Sequence, residues 1–197
     1  MRFATKAFIA SLVLLLATSF VPASWAQINS NTGNVTLTAT LPESLTINVN
    51  SGAAVNWIAP GNALQSNTAA QAGSTTTSVT TAWVLKPGRT SVAVWAYFGS
   101  AAAALVHQTV GNTVDIPSSA VKIQVNGAGA YNPLTVVSPF NAAASGLRIG
   151  SSIAITGANK VGSRTDTLAY QIDTTVVPQL PADRYTGTLN IQAQATP

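Results

Sequence analysis

Residues 75–98 decide the reading of this chain: Thr75–Leu85 is TTTSVTTAWVL, then comes Lys86-Pro87-Gly88-Arg89, then Thr90–Phe98 as TSVAVWAYF. β-Branched and aromatic residues fill both arms and a Pro-Gly pair separates them, which predicts two strands joined by a turn, a long β-hairpin. With Lys86 facing Arg89, Trp83 falls opposite Val92, Thr81 opposite Val94, Val79 opposite Ala96 and Thr77 opposite Phe98. That is one apolar face. The other face carries Ser78, Thr80, Ala82, Val84, Ser91 and Ala93, with Trp95 and Tyr97 standing among these small residues.

Outward from this pair the same pattern recurs. Val35, Leu37, Ala39 and Leu41 alternate with Thr36, Thr38 and Thr40, predicting a first strand that Pro42 ends; Leu45, Ile47 and Val49 begin a second. Val55 to Ile58 is a further short candidate before Pro60-Gly61, and Asn62 to Ser74 reads as a loop. Ala101 to Val106 is the only mature stretch with helical propensity, enough for a single turn. Val121, Ile123 and Val125 alternate with Lys122 and Gln124. Asn126 to Pro139 is punctuated by Gly and Pro, with Tyr131, Leu134, Val136 and Val137 available to pack. Leu147–Ile149 and Ile153–Ile155 are short strand candidates. Thr165 to Asp173 is a strand with Leu168, Tyr170 and Ile172 on one side, and Tyr185 to Ala195 alternates as one closing strand. Many short strands with Gly/Pro/Asn turns and almost no helix predict an all-β, antiparallel β-sandwich, immunoglobulin-like or pilin-like. A β-helix would need more regular turn spacing.

Met1 to Ala26 reads as a secretory signal peptide: Arg2 and Lys6, an apolar run from Ala7 to Phe20, then the small-x-small site Ser24-Trp25-Ala26. The run is short for a bilayer span. The expected mature chain, 27–197, is a single sandwich domain located outside the cytoplasm, in a periplasm, at a cell surface or secreted. With no cysteine in the sequence, neither lipid attachment through cysteine nor a disulfide framework is available. Beyond the signal, seven basic residues stand against five acidic ones, scattered along the chain. Nucleic-acid binding calls for clustered cations with interleaved aromatics, and no such stripe is present. Charged residues are only 7% of the chain, so Thr, Ser, Asn and Gln must supply the polar surface.

At Leu180–Ala195, LPADRYTGTLNIQAQA resembles the closing strand of bacterial pilin-like β-sandwiches, including spore coat protein U-type domains, in which Pro-small-x-Tyr leads into the last strand. GNVTLTATLPESLTINV is similar in style to their opening strands. The chain lacks the cysteine pair and the C-terminal aromatic that such subunits often carry. The resemblance implies a subunit completed by a strand donated from a neighbouring subunit or a chaperone. Trp83-Val84-Leu85 also resembles the Trp-x-Leu signature of cell-wall-binding domains, without the second copy that family carries.

Catalytic groups are sparse. The single histidine, His107, sits after an alanine run with no Gly-x-Ser-x-Gly elbow in the chain, and reads as a surface residue. The carboxylates are Glu43, Asp115, Asp166, Asp173 and Asp183, mostly at turns or strand ends; Asp173 and Asp183 either meet near a strand end or make solvated turns or ion pairs with Arg164 or Arg184. Neither a catalytic nor a metal-binding residue is expected, and no cofactor. The expected function is a secreted, non-catalytic structural or assembly subunit of a bacterial surface structure. The alternative is a monomeric adhesion or carbohydrate-binding module using Trp95 and Tyr97, with Trp57 nearby. In that alternative the rings stack on a sugar or a partner strand; otherwise they lie beneath 62–74 or 101–106 as core.

Overall fold

The computed structural model describes residues 31–57, 70–177 and 180–197 of the 197-residue chain. The expected signal segment, Ile58 and residues 62–69 of the expected loop lie outside the described residues. The chain divides into two units, Met1–Thr40 and Leu41–Pro197.

The second unit is all-β, as the alternation predicts. One antiparallel sheet contains, in spatial order, β1 (Ser44–Ser51), β3 (Thr77–Val84), β11 (Val161–Ile172), β6 (Val121–Val125) and β7 (Ala128–Pro133), with the short β2 (Gln71–Ala72) on β11. The other contains β13 (Asn190–Thr196), β4 (Ser91–Tyr97), β9 (Asn141–Arg148) and β8 (Val136–Ser138), with β10 (Ile153–Ala154) beside the start of β4. A separate two-stranded ribbon joins β5 (Val106–His107) to β12 (Tyr185–Thr186).

The central hairpin is the main correction. β3 pairs with β1 and β11, whereas β4 pairs with β13, β9 and β10, so the two arms belong to different sheets. The turn itself forms, with Arg89 N–H donating to the Lys86 carbonyl at 3.2 Å. Beyond it the arms part, because a Pro-Gly turn of this hand splays flanking strands rather than matching their twist. The predicted inner residues are nonetheless right: Thr77, Val79, Thr81 and Trp83 on β3 and Val92, Val94 and Ala96 on β4, with Phe98 just beyond it, are all buried. They face one another across the roughly 10 Å between stacked sheets instead of the roughly 5 Å within a ladder.

The main cluster packs Val79, Val94, Ala96 and Phe98 with Ile123, Leu134, Leu168, Tyr170 and Ile172. Trp83, Leu85, Val92 and Ile155 make a second cluster at the Lys86–Arg89 end, where Trp83 Nε1–H donates to the Asn159 carbonyl at 2.9 Å. Inside the sandwich Arg164 contacts Asp166 at 2.8 Å and reaches the carbonyls of Ile149 and Ser151, tying one sheet to the segment after β9.

Several local expectations are also corrected. Asn126 and Gly127 both adopt positive φ, 55° and 64°, and close a β6–β7 hairpin within the Gly- and Pro-punctuated stretch, for which no strand is predicted. Residues 101–106 form no helical turn; a few alanines cannot meet the cost of helix nucleation, and Leu105 bridges Ile116 instead. Of the short candidate Val55 to Ile58, the described residues 55–57 carry no strand. The expected closing strand is broken between β12 and β13 at Gly187, where a Cβ would lie 1.9 Å from the Ala104 carbonyl oxygen.

The first predicted strand does not form. Residues 31–43 carry no strand, and Val35, Leu37 and Leu41 are 82%, 89% and 76% exposed. Its alternation is intact, but no described strand of the chain pairs with it.

Candidate functional site

β1 ends the first sheet and β13 ends the second, and each has one edge with no ladder partner among the described residues. The two strands lie against each other along one side of the sandwich. Alternation explains what the seam exposes: Leu45 and Ile47 of β1, and Ile191, Ala193 and Ala195 of β13, turn toward the core but stay only half-buried. β7 and β8 end the same two sheets on the other side, and along the seam no further strand pairs with β1 or β13 among the described residues.

Clefts lie at both ends of this seam. One, about 270 Å³, is bounded by Val49, Val55, Trp57, Leu189 and Ile191, together with Tyr170. Burial pushes the Tyr170 hydroxyl above its ordinary pKa. The other, about 340 Å³, is bounded by Leu45, Leu85, Ala193 and Ala195 and by the polar pair Glu43 and Arg89. Arg89 grips Glu43 with two nitrogens, at 2.8 and 3.2 Å, and donates a third bond to the Ala195 carbonyl at 3.3 Å. That arrangement ties β13 to the segment entering β1, and the Arg89 hydrogen bond holds the Glu43 carboxyl below its usual range.

The predicted aromatic site is divided by the fold. Trp95 and Tyr97 occupy the outer face of β4, because Val94 and Ala96 take the inner one. They are half-buried and join neither core cluster, so they are not the covered core residues of the alternative reading. Trp57 is not with them. It packs against the interior cluster near Gly73 and Tyr170, and its Nε1 is buried without a hydrogen-bond partner among the described residues. Phe140, which the sequence reading does not single out, stacks on Tyr97 with ring centroids 6.0 Å apart. No periodic signal marks it, because it lies in the turn between β8 and β9.

The polar candidates separate as well. His107 is half-buried and bonds Asp115 through Nδ1 at 2.7 Å; the His107 backbone N–H and then its ring hold the Asp115 carboxyl low. Asp183 accepts bonds from Thr109 and Asn112, which depress its pKa well below the ordinary carboxylate value, the Asn112 amide contributing most. Asp173 pairs with Lys122 at 2.7 Å, so Asp173 and Asp183 are held by different partners. Among the described residues, no three His, Cys, Asp or Glu side chains are grouped so as to hold a metal ion, and no helix is long and apolar enough to cross a membrane.

No protein-family model, curated protein or solved structure matches the chain.

Proposed function

We propose that the protein is an extracytoplasmic, non-catalytic assembly subunit in which residues 34–41 of one copy lie along the β1/β13 seam of another. The observation that carries this reading is the exposure of an intact strand pattern, Val35, Leu37, Ala39 and Leu41, in a chain whose β1 and β13 each keep, among the described residues, one unpaired edge beside a half-covered core. Eight residues in extended conformation span about 26 Å, the length of β1 itself. The alternation sets four apolar side chains inward and Thr36, Thr38 and Thr40 outward. Main-chain bonds to the open edges supply affinity, and the two clefts take the larger side chains.

Connection chemistry favours a second copy over the same one. Only Pro42 and Glu43 separate Leu41 from Ser44, the first residue of β1. Folding back on β1 through two residues needs positive φ, which the proline ring forbids.

The test is the mass of the chain 27–197 by size-exclusion chromatography with light scattering, against a version starting at Pro42. The full chain forms concentration-dependent oligomers, and the shortened chain is monomeric and binds a peptide of residues 34–41. Identical masses for the two, with no peptide binding, would refute the reading.

A further inference from the structure

We propose that the outer face of the second sheet binds an acidic carbohydrate, with sugar rings laid on Trp95 and Tyr97 and a sugar carboxylate held by Arg148. This surface shares β13 with the seam but uses its outward residues, Asn190 and Gln192, where the seam uses Ile191, Ala193 and Ala195, and it does not depend on assembly.

Trp95 and Tyr97 are two positions apart on one strand, so their rings rise from the same face about 7 Å apart. The register builds the rest. Trp95 stands between Gln192 of β13 and Arg148 of β9, and Tyr97 between Asn190 and Gly146. Phe140 extends the apolar patch by stacking on Tyr97 at an interplanar angle of 22°. The Tyr97 hydroxyl donates to Gln192 Oε1, which fixes that amide and leaves its nitrogen as a donor. A sugar ring has an apolar face and a rim of hydroxyls. The patch presents the complement: flat π-faces within a frame of amides.

Charge decides the class of sugar. The chain has five carboxylates, and every one is engaged elsewhere: Glu43 with Arg89, Asp115 with His107, Asp166 with Arg164, Asp173 with Lys122, and Asp183 with Thr109 and Asn112. Arg148 is exposed and forms no ion pair among the described residues. Beside Trp95 it supplies an uncompensated, planar donor suited to a two-point grip on a carboxylate. A second copy of the chain answers this charge poorly, since four of its side-chain carboxylates already face a basic side chain and Asp183 is held by the Thr109 N–H and hydroxyl, the Asn112 amide and the Arg184 N–H. A nucleic acid needs several cations along its backbone, and this face offers one.

The experiment is calorimetric titration of the full chain with an oligogalacturonate and with its methyl ester, which keeps the rings and removes the charge. The acidic oligomer is expected to bind about tenfold more tightly than the ester, the difference carried by one charge-assisted grip. Arg148→Gln, a change at an exposed side chain, should erase that difference and leave ester binding unchanged. Trp95→Ala should abolish binding of both. No binding of either oligomer, equal binding of both by the unaltered chain, or undiminished preference for the acid in Arg148→Gln would each overturn the proposal. So would a concentration-dependent mass increase that Trp95→Ala removes without any sugar binding, which would assign the face to a protein contact.

Discussion

Asp166→Ala tests whether the ion pair inside the sandwich holds it together. The Asp166 carboxylate is 4% exposed and accepts from Arg164 Nε at 2.8 Å and from Asn126 Nδ2 at 3.0 Å. Removing it leaves a guanidinium between two sheets without its counter-charge, a loss of about 3–5 kcal/mol for a buried pair. Arg164 keeps its bonds to the Ile149 and Ser151 carbonyls and retains some solvent contact, which puts the expected loss near the lower end, about 3 kcal/mol. For a unit of this size that is a fall of about 6–12 °C in Tm. Urea unfolding followed by circular dichroism measures it, and the slope with urea should not change, since the same surface unfolds. The double variant Asp166→Leu/Arg164→Met supplies the control, because replacing both charges by apolar groups is often near neutral. A loss below about 1 kcal/mol in Asp166→Ala, or a double variant less stable than the single one, would refute the reasoning.

Three further outcomes follow from local geometry. Asp183 has its pKa depressed in the folded state, so its contribution is present above the ordinary carboxylate value of 3.8 and is lost as pH falls below it; Asp183→Asn should flatten the fall of Tm between pH 4 and pH 2, roughly the window over which the free carboxylate would protonate. Gly187→Ala places a Cβ 1.9 Å from the Ala104 carbonyl oxygen, and forcing β12 away from that contact should lower stability by about 1–3 kcal/mol in thermal melts. Trp83→Phe removes the donor to the Asn159 carbonyl while keeping most of the ring in the core, and should cost about 1 kcal/mol in urea unfolding.

Which residues face inward is legible from alternation in the strands that the fold pairs, whereas Val35, Leu37 and Leu41 alternate as cleanly and are exposed. Val92, Val94, Ala96 and Phe98, or Leu168, Tyr170 and Ile172, follow from period two alone. Partnership was not legible, since a pleated strand shows the same alternation whether its apolar face meets a strand beside it or a sheet across from it. That is why β3 and β4 read as a hairpin and fold as opposite walls. β7 and most of β9 escaped because AGAYNP and NAAASGLR carry few β-branched residues, and their pairing comes from tertiary context. At the aromatic surface, Trp95 and Tyr97 could be named from the sequence, but Arg148 and Gln192 reach them only through a register linking residues about fifty and a hundred positions apart. Residue type alone groups Trp57 with them, and the fold sends it to the interior cluster instead.

The separation of β3 from β4 also sets an order of events. β4 gains its full-length neighbour only when Asn190–Thr196 arrives, and β3 meets β11 only after residue 172. Neither sheet can be finished by a partial chain, and such distant pairings make closure slow. A polypeptide emerging from synthesis therefore keeps the inner faces of both sheets open until Asn190–Thr196 has been made, and the half-built sandwich must be kept from pairing its bare strands with a neighbour.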